Sequence, residues 1–65
     1  MIGKNIKELR TQLGLSQQKL ADKLGIPRPT IASWEQGISS PNSNMLARLK
    51  EVLNCSYEEL IEGKL

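Results

Sequence analysis

The stretch Gln17-Gln18-Lys19-Leu20-Ala21-Asp22-Lys23-Leu24-Gly25-Ile26-Pro27-Arg28-Pro29-Thr30-Ile31-Ala32-Ser33-Trp34-Glu35-Gln36 decides the fold. Ser16, immediately before it, is an N-cap whose hydroxyl can accept from the unpaired backbone N–H groups that open a helix. Within that helix Leu20, Ala21 and Leu24 recur at helical spacing and face inward. Gly25 ends the helix and turns the chain, because the turn needs a residue tolerant of positive φ. Ile26 is read as a buried plug in the turn. Pro27 and Pro29 fit the first turn of a following helix, where a missing N–H costs nothing. With Pro27 in place of a Ser or Thr cap, this second helix starts poorly capped. Ile31 and Trp34 form its buried face, and Gly37 closes it. Two helices crossing steeply about a short turn need a small side chain where they touch, and Ala21 supplies it.

Ahead of this pair, Ile2, Ile6, Leu9 and Leu13 make an apolar stripe at helical period, followed by Gly14. Behind it comes a loop, Ile38-Ser39-Ser40-Pro41-Asn42, then a helix over 43–53 with Met45, Leu46, Leu49, Val52 and Leu53 as its apolar face. Ser56-Tyr57-Glu58-Glu59 is a capping box, serine with glutamate three residues on. It opens a short helix bearing Leu60 and Ile61 and ended by Gly63. No segment shows strand alternation. The predicted fold class is all-α, a compact bundle of five short helices forming a single domain over residues 1–65.

The 65 residues carry a formal net charge of +2, with 38% hydrophobic and 25% charged side chains. A domain of this length sits near the lower limit for folding without staples. One cysteine cannot close an internal disulfide, and a chain without histidine has no Cys/His zinc site. No metal and no cofactor are expected, and Cys55 reads as a buried free thiol. No apolar run reaches membrane-spanning length, and the opening residues lack the apolar stretch of a signal peptide. A reduced, cytoplasmic setting is the expectation. The charge is uneven: residues 1–50 hold eight basic against three acidic side chains, whereas 51–65 hold one against four. A basic body with an acidic end suggests a polyanionic partner on one side. The hydroxyl and thiol groups have no histidine to serve as base, and the carboxylates lack paired spacing, so no enzyme is expected.

Two helices joined in this way make a helix-turn-helix over residues 17–36, whose second helix enters the DNA major groove. The chain resembles the DNA-binding domains of phage repressors and Cro proteins, the lambda/434-type, XRE-like group. The matching residues are Ile6 and Arg10, Leu15-Ser16-Gln17-Gln18-Lys19-Leu20-Ala21, Leu24-Gly25-Ile26, Thr30-Ile31, Trp34-Glu35-Gln36-Gly37, Pro41, Leu46, Leu49, Leu53 and Leu60-Ile61-Glu62-Gly63. The resemblance covers nearly the whole chain.

By that resemblance Gln17 places its amide on a DNA phosphate, helped by a helix N-terminus. Thr30 and Gln36 match positions that touch phosphates, and the loop with Ser40, Asn42 and Ser43 presses on the phosphate chain. Arg10 and Glu35 match a partly buried ion pair between the first and third helices. The residues themselves put Arg28, Pro29, Ala32, Ser33 and Gln36 on the outward face of the third helix, opposite Ile31 and Trp34. Arg28 can lie bidentate on guanine O6 and N7, or hold a phosphate, and we read it as a base contact. Ser33 is a versatile hydrogen bonder, while Pro29 and Ala32 can meet a thymine methyl. Trp34 reads as core rather than as a base-stacking group. Lys50 stands where relatives usually have alanine and receives no functional reading.

The function implied is a sequence-specific transcriptional regulator, a repressor, cytoplasmic in a bacterium or encoded by a phage. Its partner is double-stranded DNA with a pseudo-palindromic operator, and no membrane. A single recognition helix reads only a few base pairs, so a homodimer is expected. Tyr57 and Ile61, at the acidic end of the chain, are its candidate interface. Two alternatives use the same fold. One is an antitoxin that binds a toxin protein and autoregulates its operon. The other is a helical oligomerisation domain without a nucleic-acid partner.

Overall fold

A computed structural model describes residues 1–63. Its elements in chain order are α1 (Ile2–Gln12), α2 (Gln17–Leu24), α3 (Arg28–Gln36), α4 (Ser43–Val52) and α5 (Glu58–Glu62), the last wound as a π-type turn. No strand occurs among the described residues.

The helix boundaries follow from local chemistry. Lys19 N–H donates to Ser16 Oγ at 3.0 Å, which fixes the start of α2. At its end the N–H groups of Gly25 and Ile26 reach the carbonyls of Asp22 and Ala21, at 3.2 and 3.0 Å. This closing motif puts Gly25 at φ 69°, a backbone that an L side chain strains to adopt. Pro27 lies one residue outside α3 rather than in its first turn, with extended backbone, and no side chain caps that helix. Pro29 is inside the first turn. Asn42 Oδ1 accepts from Met45 N–H at 2.9 Å and caps α4. At the last helix the capping box is reciprocal: Glu59 N–H donates to Ser56 Oγ at 3.1 Å, and Ser56 N–H donates to Glu59 Oε1 at 3.0 Å.

The core joins Ile6, Leu9, Leu20, Ala21, Leu24, Ile31, Trp34, Leu49, Leu53 and Leu60. Burying each large apolar side chain contributes about 1.5–3 kcal/mol. The helix pair α2–α3 sits at the centre, with α1 packed on α3 and α5, and α4 packed on α2. Leu13 departs from expectation: α1 stops at Gln12, and Leu13 is 50% exposed in the turn that follows. Ile2, Ile26 and Cys55 pack against the core but are only half-buried, so Ile26 and Cys55 are less enclosed than their sequence readings held.

Gly3 and Asn5 are buried positions outside the apolar pattern. Gly3 packs so closely on α3 that a Cβ there would collide with the Trp34 carbonyl oxygen. Asn5 is buried in α1, and its Nδ2 donates to the Leu60 carbonyl at 2.9 Å, tying α1 to α5. No helix among the described residues is long and apolar enough to cross a membrane.

Candidate nucleic-acid interface

A line of hydrogen bonds joins four polar side chains of the first three helices, Arg10, Glu35, Gln17 and Arg28. Arg10, on α1, donates through Nε to Glu35 Oε2 at 2.7 Å and through Nη2 to Oε1 at 2.9 Å. Its third nitrogen, Nη1, donates to the Leu15 carbonyl at 2.9 Å. The planar fork thus grips a carboxylate and a loop at once. Only 10% of the Arg10 side chain and 4% of the Glu35 side chain remain exposed. Burial pushes the Glu35 carboxyl pKa up, but hydrogen bonds from Arg10 and Gln17 and the charges of Arg10 and Lys7 outweigh it, so the pKa falls below the usual value. The hydrogen bond to Glu35 raises the pKa of Arg10 against the opposing effect of burial.

Gln17 opens α2 beside this pair. Its Nε2 donates to Glu35 Oε1 at 3.1 Å, and its Oε1 accepts from Arg28 Nη1, also at 3.1 Å. Arg28 and Pro29, at the start of α3, are exposed. Thr30, Ala32 and Ser33 are half-buried, and Gln36 is exposed at the helix end. Ala32 and Ser33 are therefore less fully outward than helical spacing alone suggests. Ser33 Oγ and Ser39 Oγ lie 2.7 Å apart and share a hydrogen bond, which ties α3 to the loop after it. Ser40, Asn42 and Ser43 are exposed, with the Asn42 carbonyl already committed to capping α4. Trp34, at 4% exposure, belongs to the core.

At the acidic end Tyr57 and Ile61 are 44% and 48% exposed. Lys50 Nζ stands 4.8 Å from the centroid of the Tyr57 ring, a cation–π contact that gives this lysine a partner. Burial, then the charge of Glu59, push the Cys55 thiol pKa up, with Lys50 opposing.

A family model described as helix-turn-helix matches residues 6–60. The chain belongs to the helix-turn-helix family. It is 38% identical over 64 residues to the uncharacterized HTH-type transcriptional regulator YqaE of Bacillus subtilis, spanning 98% of this chain and 55% of that one. It is 36% identical over 61 residues to the antitoxin PezA of Streptococcus pneumoniae, spanning 94% of this chain and 39% of that one. The chain thus spans about half or less of the length of these curated relatives. Among solved structures it superposes on the P22 c2 repressor, determined in complex with synthetic operator 9T, with a TM-score of 0.90 and 30% identity over 98% of this chain and 97% of that one.

In this helix-turn-helix chain α2 and α3 are the two helices of the motif, and Gln17 and Arg28 open them. Sequence reasoning did not find the bond between these two residues. They lie eleven residues apart across the turn, and no periodic signal connects them. Nor did it find the Ser33–Ser39 contact, which depends on how the chain folds back after Gly37. The cap at Asn42 did have a signal, an asparagine directly before a helical run.

Proposed function

We propose that this chain is the DNA-binding part of a sequence-specific transcriptional regulator, a repressor that reads the major groove with α3. The observation that carries the reading is the likeness, along nearly the whole chain, to a repressor determined on an operator. Arg28, Pro29, Ala32 and Ser33 face base edges, with Arg28 on guanine. Gln17, Thr30, Gln36, Ser40, Asn42 and Ser43 lie against phosphates, in a body that carries a net +5 over residues 1–50. Two copies pair through the exposed Tyr57 and Ile61, so that two α3 helices meet the half-sites of a pseudo-palindrome about one helical turn apart. Selection of bound duplexes from random DNA, followed by footprinting, tests this. Paired half-sites are expected, with log K falling linearly against log salt. Equal binding to all duplexes, or a flat salt response, would overturn it.

A second reading has one observation in its favour, the 36% identity to an antitoxin. In that case the chain also holds a toxin protein, and DNA binding autoregulates the pair. Stoichiometric co-purification with a small protein encoded beside its gene would support it.

A further inference from the structure

α5 has five residues, and a helix so short, wound as a π-type turn, does not hold itself in place. Its position is set by what it touches. The reciprocal bonds between Ser56 and Glu59 secure only its own first turn. Leu60, fully buried, anchors it in the core, but an apolar contact has no direction. Asn5 supplies the direction. Its Nδ2 donates to the Leu60 carbonyl at 2.9 Å, and its Oδ1 stands beside Gly63, where a Cβ would lie 2.8 Å away. The buried amide thus spans the last turn of α5. The helix that carries Asn5 also lies against α3, through the close approach at Gly3 and the Arg10–Glu35 pair. We infer that Asn5 is the positioning residue for the pairing face: it fixes the attitude of Tyr57 and Ile61 relative to α3, and with it the half-site separation that two copies accept. The inference deepens the paired DNA-reading function proposed above and rests on it.

Burying an amide is costly unless its hydrogen bonds are made, so for cohesion alone a leucine would serve where α1 meets α5. What the amide adds is uniqueness. A donor that must be satisfied admits one arrangement of its partner, whereas a leucine admits many. A single buried asparagine sets register and partner number in coiled coils by this means. Tyr57 and Ile61 flank Leu60 in the chain, so a rotation of α5 about the Leu60 anchor moves both exposed side chains. In a two-fold pair the same rotation occurs in each copy. A small slip at Asn5 therefore counts twice in the distance between the two α3 helices.

The test uses duplexes carrying a pair of selected half-sites, their separation stepped by single base pairs, and a duplex carrying one half-site. Dissociation constants are measured at one salt concentration, below every melting midpoint, for the wild type, Asn5→Leu, Gly63→Ala and Tyr57→Lys. The wild type should bind the best separation about ten-fold more tightly than one a few base pairs off. Asn5→Leu should bind the single half-site as the wild type does, yet its preference among separations should flatten. Gly63→Ala, which presses a methyl group on Asn5 Oδ1 from an exposed position, should flatten it too. If Asn5→Leu unfolds, Gly63→Ala decides the matter. An intact preference, or equal weakening on every duplex with the single half-site included, would reduce Asn5 to a stabiliser of the fold and overturn the inference alone. Tyr57→Lys should lose the preference altogether, and its retention there would overturn the pairing face. A wild type that binds two half-sites no better than one, at any separation, would overturn pairing itself, and the positioning role with it.

Discussion

Arg10 and Arg28 stand at opposite ends of one line of hydrogen bonds, and the line changes character between them. Arg10 is 8% exposed and uses all three of its nitrogens on protein acceptors. Arg28 is exposed and uses one of them, on Gln17. The two side chains are chemically identical, so their surroundings set the difference. A guanidinium with its donors satisfied inside the fold stabilises that fold. One with donors left over at the surface is available to a partner. Removing the first strands a buried carboxylate, whereas removing the second strands no buried charge.

That contrast can be broken most forcefully at the buried end. Arg10→Met leaves Glu35 charged, nearly enclosed and without its ion-pair partner, which should cost about 3–5 kcal/mol. A domain of this size has little more stability than that, so urea unfolding should show it largely unfolded before denaturant is added. Loss of less than about 1 kcal/mol would mean that the two ends do not differ. At the exposed end, Arg28→Ala should shift the unfolding midpoint hardly at all, by about 0.5 kcal/mol or less. The same change should cost about 1–3 kcal/mol in binding to a selected site and relax preference at one base pair.

Acid sharpens the comparison, since only the buried end depends on a carboxylate with a lowered pKa. Glu35 contributes stability that is fully present above its unfolded value, about 4.3, and is lost as pH falls through its lower folded value. Thermal midpoints should therefore hold steady from neutrality down to about pH 5 and drop below that. Glu35→Gln should flatten part of the drop, and Arg28→Ala should leave it unchanged. A third cation has a small effect of its own. Lys50→Ala removes an exposed cation–π contact with Tyr57 and should cost about 0.5–1 kcal/mol in the same melts.

How much of this the sequence revealed depended on the range of the interaction. Helix boundaries at Ser16, Gly25 and Ser56 were legible because caps and turns are made by residues two to four apart. The faces of α2 and α3 were legible because periodicity is a local signal. Leu13 misled, because its apolar spacing continued one residue past the point where the backbone stopped being helical. Asn5 and Gly3 were invisible for a different reason. A buried asparagine makes sense only once the Leu60 carbonyl stands beside it, 55 residues away, and a glycine in a helix looks like a defect until a second backbone lies against it. In the candidate site the residues came from pattern and resemblance, but their wiring did not. Gln17 Oε1 and Arg28 Nη1 meet only after the turn has folded.

The close approach at Gly3 bears on how such a reader can change over generations. With the α1 backbone lying directly on the carbonyl of Trp34, no side chain there acts as a spacer whose size could be adjusted. Tilting α3 or altering the depth at which it projects would need coordinated changes in two backbones, whereas the exposed groups at Arg28 and Pro29 can be exchanged one at a time. A lineage built on this scaffold is expected to acquire new targets by relettering a rigid stylus rather than by re-aiming it.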